Sequence, residues 1–529
     1  MHGEGRTADS AWTPLSHPVF RALWIASLVS NIGTWMQNVS AAWAMTSLSP
    51  SPLMVALVQS ATSLPVFLVG LPAGAVADIV DRRRLLLVTQ CWMLLAAGLL
   101  AVLAFLGLMT ATTLLALTFA LGLGVAMNTP TWQAITSELV PASELTRAVT
   151  LNALPVNIGR AIGPALGGVL VAAAGPALVF ALNAVSFVAV LVVVYRWRRE
   201  APPALLPAER VIGATRAGIR YARHAPPLVA VLVRLGLFIV CASAFWALLP
   251  VIARRDLGLG ALGYGLLLGC IGVGAIAGAA LLPTVKRRLP LDAVIALATV
   301  AFAVVSALTA FWRFIPGLAI AMIVAGVAWI AMMAGLNGSA QTVVPTWVRA
   351  RALGVYLLVF QGGLGLGSAL WGLVADHVGS STALASAAGG ALLGLVAMRR
   401  WPLRAVTTLD LPPSAHWPEP HLDVIPAPDD GPVRVEVEYR IDPAQADAFM
   451  QAIRDLESTR RRDGAVTWAV YRDPGQNGRY VETFVVESWV EHLRQHERVT
   501  SGDRALEERI RRFHVAPTPP TVTHLIAAH

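Results

Sequence analysis

Apolar stretches of about 20 residues recur twelve times in the first 400 positions of this chain. Each is long enough to cross a hydrocarbon core of ~30 Å as a helix. The approximate spans are 20–46, 53–76, 85–107, 113–137, 148–173, 176–197, 228–252, 259–282, 291–312, 315–340, 353–376 and 380–398. The 529 residues are 56% hydrophobic and 13% charged, and the mean hydropathy is +0.64. A water-soluble chain carries nearer a quarter charged residues. Most of this one must therefore face lipid. The first span does not read as a cleaved leader, because Asn31, Gln37 and Asn38 interrupt it. Cys91, Cys241 and Cys270 each fall in an apolar run and read as small buried hydrophobes.

Charge divides the chain in two. Residues 1–400 hold 25 Lys and Arg against 11 Asp and Glu, a balance of +14; residues 401–529 hold 15 against 20, a balance of −5. The basic residues do not mark a nucleic-acid partner, because they sit in short connections between apolar spans. Arg6 and Arg21 precede span 1, Arg82–Arg84 follow span 2, and Arg147 follows span 4. A run from Arg196 to Arg223 follows span 6, Lys286–Arg288 follow span 8, Arg349 and Arg351 follow span 10, and Arg399 and Arg400 follow span 12. On the other side only Arg254, Arg255 and Arg313 stand. The positive-inside rule then predicts both termini in the cytoplasm.

A direct repeat runs through the membrane block at an offset of 204 residues. Gly70 and Gly74 match Gly274 and Gly278, and Arg82–Arg84 match Lys286–Arg288. Val140-Pro141 matches Val344-Pro345, Arg147 matches Arg351, and Gly159, Gly163 and Gly168 match Gly363, Gly367 and Gly372. Six spans per unit is an even number, so both units insert the same way round and can face each other across a midplane cleft. The expected organisation is a six-helix bundle over 1–200, an inter-bundle loop over 201–227 and a second bundle over 228–400. A Pro-rich linker (401–431) and a cytoplasmic domain (432–529) follow.

Two motifs stand out. After span 2 the chain reads Gly74-Ala-Val-Ala-Asp78-Ile-Val-Asp81-Arg82-Arg83-Arg84, a helix-end acid beside a basic cluster that can latch to a neighbouring helix. Span 5 carries Gly159-Arg-Ala-Ile-Gly163-Pro164-Ala-Leu-Gly167-Gly168, whose glycine spacing permits close helix approach. Generic membrane-helix packing accounts for that spacing by itself. The first string resembles the loop signature of the major facilitator superfamily at Gly74, Asp78, Arg82 and Arg83, departing at Ile79 and Asp81. The second resembles the span-5 signature of exporters in that superfamily, with Thr150 where glycine is usual. With Phe20-Arg21-Ala-Leu-Trp24 and the C-terminal extension, the likeness is to the branch of enterobactin-type siderophore and drug exporters. It implies export driven by the proton-motive force from a bacterial inner membrane.

An ion within a span is costly and reads as functional. Arg160 lies deep in span 5 and suits an anionic or hydrogen-bond-accepting substrate. Arg234, nearer a span end, reads as snorkelling to the interface. Asn31, Trp35 and Asn38 share one face of span 1. Gln59, Asn128, Asn152, Asn157, Gln341 and Gln361 are the other uncharged polar candidates for a cleft, each as able to bond another helix. Carboxylates fall at span ends, so the sequence does not place a proton carrier. No phosphate-binding GxxxxGK[ST] string occurs, which argues against ATP drive.

Beyond the linker, Val433–Arg440 alternates as a half-buried strand and 443–462 reads as an amphipathic helix. Strands near 464–472 and 478–488, helical sequence over 489–514 and a strand near 520–527 complete the order β-α-β-β-α-β, which predicts a ferredoxin-like fold. Asp463-Gly464-Ala465, Glu487-Ser488-Trp489 and His492–His496 resemble an antibiotic-biosynthesis-monooxygenase-like module. That resemblance implies sheet-to-sheet dimers. Trp468, Tyr471, Arg472, Trp489, His492 and His496 are pocket candidates against a plain aromatic core and solvated helix. Two histidines four apart without a third ligand do not make a metal site. The expectation is an all-α twelve-helix membrane protein with a small α+β domain. It takes a small-molecule substrate in the lipid bilayer, with no cofactor, metal, catalytic residue or nucleic-acid partner. The alternative is a membrane-tethered, cofactor-independent monooxygenase.

Overall fold

The computed structural model describes residues 10–197, 211–345, 347–403, 412, 414, 416–417 and 426–528. Its helices are α1 (Pro18–Leu48), α2 (Pro52–Ile79), α3 (Arg82–Phe105), α4 (Ala111–Leu139), α5 (Leu145–Arg196) and α6 (Val211–His224). They continue with α7 (Pro226–Arg255), α8 (Ala261–Arg288), α9 (Leu291–Phe311), α10 (Ile315–Thr342), α11 (Arg349–Val378) and α12 (Ser380–Met398). Local chemistry sets the starts. Pro18 and Pro52 occupy first turns, where a missing N–H costs nothing. Ser51 caps α2, Asp81 caps α3, and Thr110 forms a capping box with Thr113 on α4.

Nine of the described helices are long and apolar enough to cross a membrane on those grounds alone. The twelve spans come from three further facts. α5 is broken at Gly175, where φ is 77° and ψ 172°, so it is two arms. α12 is shorter, with an apolar stretch of Ser380–Val396. α1 is diluted by Asn31, Thr34, Gln37 and Asn38. A positive φ is open to glycine without a Cβ clash, and Gly379 between α11 and α12 has φ 86°. Positions 175 and 379 are 204 apart, as are the starts of α4 and α10, and of α5 and α11. The repeat seen in sequence is a repeat of helices and of their breaks.

Two compact units divide the chain. The first comprises 1–209, 234–336 and 357–400. Within it α1 packs on α5, α2 on α4, α3 on both α4 and α5, and α9 on α12. Small and medium apolar residues fill the interior, with Met45, Leu100, Leu114 and Phe180 fully buried. Large apolar side chains also point outward: Leu95 is 71% exposed and Leu393 73%. Such a surface is stable in lipid, where it needs no burial. Cys91 is exposed on α3 and Cys241 and Cys270 are half-buried, so the three cysteines depart from the buried reading. Arg234 is a second correction. It is buried, with an ion pair to Asp292 at 2.6 Å and a hydrogen bond to the Met398 carbonyl at 3.2 Å, tying α7 to α9 and α12. A carboxylate 58 positions away removes the need to snorkel.

The second unit comprises 210–233, 337–356 and 401–529. Its sheet holds β1 (Val433–Arg440), β2 (Thr467–Arg472), β3 (Arg479–Val486) and β4 (Thr521–Ile526) in the order β2-β3-β1-β4, all antiparallel. α13 (Ala446–Asp463) follows β1, and α14 (Trp489–Arg498) and α15 (Ser501–Arg511) follow β3. The inward face of β1 (Val437, Tyr439) packs with Tyr480 against Phe449, Ile453, Leu456 and Ile510. This is the ferredoxin-like arrangement expected, with the second helical stretch split in two. α6 packs against α13.

Candidate functional site

Within the first unit the two bundles meet along the end whose connections carry few charges. Arg254, at the end of α7, hydrogen-bonds Thr46 Oγ1 at 2.9 Å and Ser47 Oγ, and its guanidinium lies 5.4 Å from the Trp43 ring centre. Trp43 stacks in turn on Tyr264 of α8. Arg255 donates to the Pro50 carbonyl at 2.6 Å. Asp376, near the end of α11, accepts from Ser51 Oγ at 2.8 Å and from the Leu53 amide at 3.1 Å. Ser60 donates to the Gly365 carbonyl at 2.7 Å. These polar bonds lie beside apolar contacts between the bundles, with Val251 of α7 in one buried cluster with Met45, Leu100 and Phe180, and Ala261 of α8 in another with Met36, Val171 and Val179. The hydrogen bonds of the seam exchange for water at little net cost. Arg254 and Arg255 were visible in sequence as exceptions to the charge rule, which was the signal available for the seam.

Below it, the span-5 glycines are contact surface. A Cβ on Gly159 would stand 2.9 Å from the Asn31 backbone, one on Gly163 2.6 Å from Trp35 Cβ, and one on Gly167 3.0 Å from the Met36 backbone. Gly168 faces the other bundle, its added Cβ 2.8 Å from Gly265 Cα and from the Ala261 carbonyl. Pro164 is buried in the same helix, with its carbonyl beside Gly265.

Arg160 emerges from this packed stretch, 15 residues from the start of α5 and 14 from Ala174. At 1.5 Å per residue that is roughly mid-depth. Its guanidinium lies 5.3 Å from the Trp35 ring centre, and its Nε is buried with no hydrogen-bond partner among the described residues. Asn157, one turn earlier, is exposed. The remaining polar candidates are mostly committed. Asn31 bonds the Ser27 carbonyl, Gln59 bonds Ser63, and Gln341, in the second unit, bonds Asn337. Asn128 accepts from Thr89 and Gln90, and Asn152 donates to Thr136. Asn38 and Gln361 are half-buried. The geometry thus brings Arg160 and Trp35 together, while three of the amides bond within their own helix and two, Asn128 and Asn152, bond a neighbouring one.

The basic loop is fixed inside the first bundle. Arg82 pairs with Glu138 at 2.7 Å and Arg83 donates to the Val194 and Tyr195 carbonyls, at 3.2 and 2.6 Å, at the end of the second α5 arm. Gly74 has open space where a Cβ would go. The Asp78 side chain lies outside the described residues.

In the C-terminal domain the pocket candidates separate. Trp489, His492 and His496 form a ring cluster with His524 and Trp417, centroids 4.7–6.0 Å apart. His492 is 1% exposed, and among the described residues neither ring nitrogen has a partner in hydrogen-bond geometry. Trp468 instead donates to Glu482. Tyr471 and Arg472 stand exposed at the far end of edge strand β2. A buried charge network went unread in sequence. Arg460 bonds Glu482 at 2.9 Å and Glu507 at 2.7 Å, and Glu507 also accepts from His416 and Trp417 of the linker. Burial pushes the Glu507 carboxyl up, but Arg460, His416 and Trp417 outweigh it and hold the group down at about 2. Among the described residues, no group of three His, Cys, Asp or Glu is placed to hold a metal.

The sequence profile of the family described as transmembrane secretion effector matches residues 9–529. The multidrug efflux pump Tap of Mycolicibacterium fortuitum is 24% identical over 387 residues, covering 70% of this chain and 93% of that one. The enterobactin exporter EntS of Salmonella choleraesuis is 29% identical over 274 residues, covering 50% of this chain. The matched region spans 63% of that exporter, under two-thirds of its length. Among solved structures, a bacterial homologue of the human lysosomal transporter Spinster has a TM-score of 0.58 at 14% identity, covering 72% of this chain and 97% of its own. That likeness shows the fold. None of these similarities supports the tethered-oxygenase alternative.

Proposed function

We propose that this chain, which belongs to the transmembrane secretion effector family of the major facilitator superfamily, exports a small organic molecule by alternating access between its two six-helix bundles. At the level of the family it is a transporter, not an enzyme. The bundles are residues 1–200 and 228–400, joined by a connection over 201–227 that contains α6 and followed by a linker over 401–431 and a cytoplasmic domain from 432. The observation that carries this reading is the polar seam at one end, where Arg254, Arg255 and Asp376 of one repeat hold residues 46–53 of the other. The hydrogen bonds of that joint can exchange for water, so parting the repeat-related bundles costs chiefly their apolar contacts, such as those of Val251 and Ala261. The arginine asymmetry supports placing that seam outside the cell and both termini inside, in a bacterial inner membrane.

Arg160 is the cargo anchor. A guanidinium at mid-depth with an unmet Nε favours a carboxylate or other anionic acceptor, and the Trp35 face beside it suits an aromatic or apolar body. Names of relatives point to siderophore-like or drug-like cargo. Gly74, Asp78, Arg82 and Arg83 serve as the gating loop, with the Arg82–Glu138 pair holding α3 to α4. Drive by the proton-motive force follows from the family. In an exporter-deficient strain preloaded with salicylate or ethidium, expression should speed loss of at least one dye or acid, and a protonophore should abolish the gain. Arg160→Gln should slow salicylate loss by about tenfold, the scale of one charged hydrogen bond. Retention equal to the empty vector for both compounds contradicts the reading.

A further inference from the structure

We infer that the C-terminal domain is a reversible latch on the transporter's own helix connections, restraining the cycle while it is docked. The inference rests on the transport reading above. Its evidence lies wholly within the second unit, where three segments distant in sequence form one joint. Tyr221 of α6 is 2% exposed and meets the Trp347 ring edge-on at 5.8 Å, in the turn between α10 and α11. The domain covers both rings with arginines. Arg462 lies 5.9 Å from the Tyr221 ring centre and Arg498 4.7 Å from that of Trp347. Arg498 is itself held by the Asp463 carbonyl and by Glu491, each at 2.8 Å. Glu491 also stands 3.8 Å from Arg220 of α6. An aromatic centre capped by arginines and ringed by ion pairs has the anatomy of a binding interface.

The joint is built to separate. Among the described residues, Trp347 Nε1 and Arg220 Nε are buried there with no hydrogen-bond partner. A Cβ on Gly464 would lie within 3.6 Å of the Arg498, Arg220 and Gln495 nitrogens, so these groups converge on one spot. Each unmet polar atom is less stable there than when hydrated. Undocking returns them to water, which offsets part of the aromatic burial lost. The domain's interior network, by contrast, has partners on both carboxylates of the Arg460 cluster.

Connectivity says what the latch restrains. α6 runs through Ala225 into α7, and Trp347 lies between α10 and α11, so the joint binds the entrances of three spans into one packed body. Gly218 reinforces it, since an added Cβ would be 2.9 Å from Arg351 Cβ at the start of α11. Rocking or bending of these spans must work against that body. Release frees them.

The test uses the full chain in lipid nanodiscs, in a background with Cys91, Cys241 and Cys270 replaced by serine. Spin labels at exposed positions 84 and 288 report one end of the bundles, so no cargo is needed. Trp347→Ala and Tyr221→Ala, on separate segments, should each raise the minor distance population by about fivefold, a typical coupling factor. A bismaleimide cross-link in the Tyr221→Cys, Arg462→Cys double variant should abolish the minor population, and the same protein left uncross-linked should retain it. Identical distributions in parent, both variants and cross-linked protein overturn the latch. That result leaves the transport reading standing, because the reading is judged by efflux.

Discussion

His492 lies on α14 against His496 and His524, and that neighbourhood has a consequence for pH. Burial, then the two neighbouring imidazoles, pull its pKa from 6.5 to about 3. The unfolded chain therefore takes up a proton that the folded domain refuses. The associated stability is complete above pH 6.5 and is lost as the pH falls from there toward 3, by up to about 1.4 kcal/mol per pH unit for one proton. Thermal unfolding of the domain in the full chain, followed by protease protection, should show a midpoint falling between pH 7 and 5. His492→Phe should flatten that fall, and an unchanged pH profile in this variant contradicts the account. Single residues were legible where they broke a pattern. Arg160 announces itself as a charge inside an apolar run, and Arg254 and Arg255 as charges on the bare side. The polar amides were not assignable, because a lone Asn in a helix always has its own preceding carbonyl within reach, as Asn31 has at Ser27. Nor was Arg234, whose partner Asp292 belongs to another span.

Helices were the most legible level, since a lipid-facing helix must be apolar over its whole length and its ends must be polar. The break at Gly175 coincides with the short uncharged connection of Ala173–Pro176, and its repeat at Gly379 follows from the 204-residue offset. What spacing could not decide was whether the span-5 glycines serve packing or cargo. Their added Cβ atoms would meet backbone of α1 and α8, and backbone cannot step aside. Gly168→Val should therefore wedge α5 from α8 and lower both folded yield and transport, by the 1–3 kcal/mol typical of overpacking. Gly98→Ala in α3 has nothing within 4 Å of the new methyl and should be neutral or mildly stabilising. Detergent-solubilised melting curves separate the two, and equal melting temperatures contradict close packing at Gly168. α6 escaped the sequence reading because a 14-residue amphipathic helix within an Arg- and Pro-rich connection resembles a solvated linker.

At the scale of the whole molecule, the direct repeat carried most of the architecture into view. Matching bundles of six spans, inserted the same way round, leave few arrangements other than two halves about a central passage. The seam between them was readable only on one side, in Arg254 and Arg255, because their partners in Thr46–Leu53 lie more than 200 positions away and carry no sequence signature. The central claim is that this seam opens while the opposite end closes. Distance measurements between spin-label pairs in nanodiscs test it, one pair at exposed Leu108 and Phe314 and one at Arg84 and Arg288. During turnover the two pairs should change in opposite senses, the first lengthening as the second shortens. Both pairs holding a single distance, or lengthening together, would contradict alternating access.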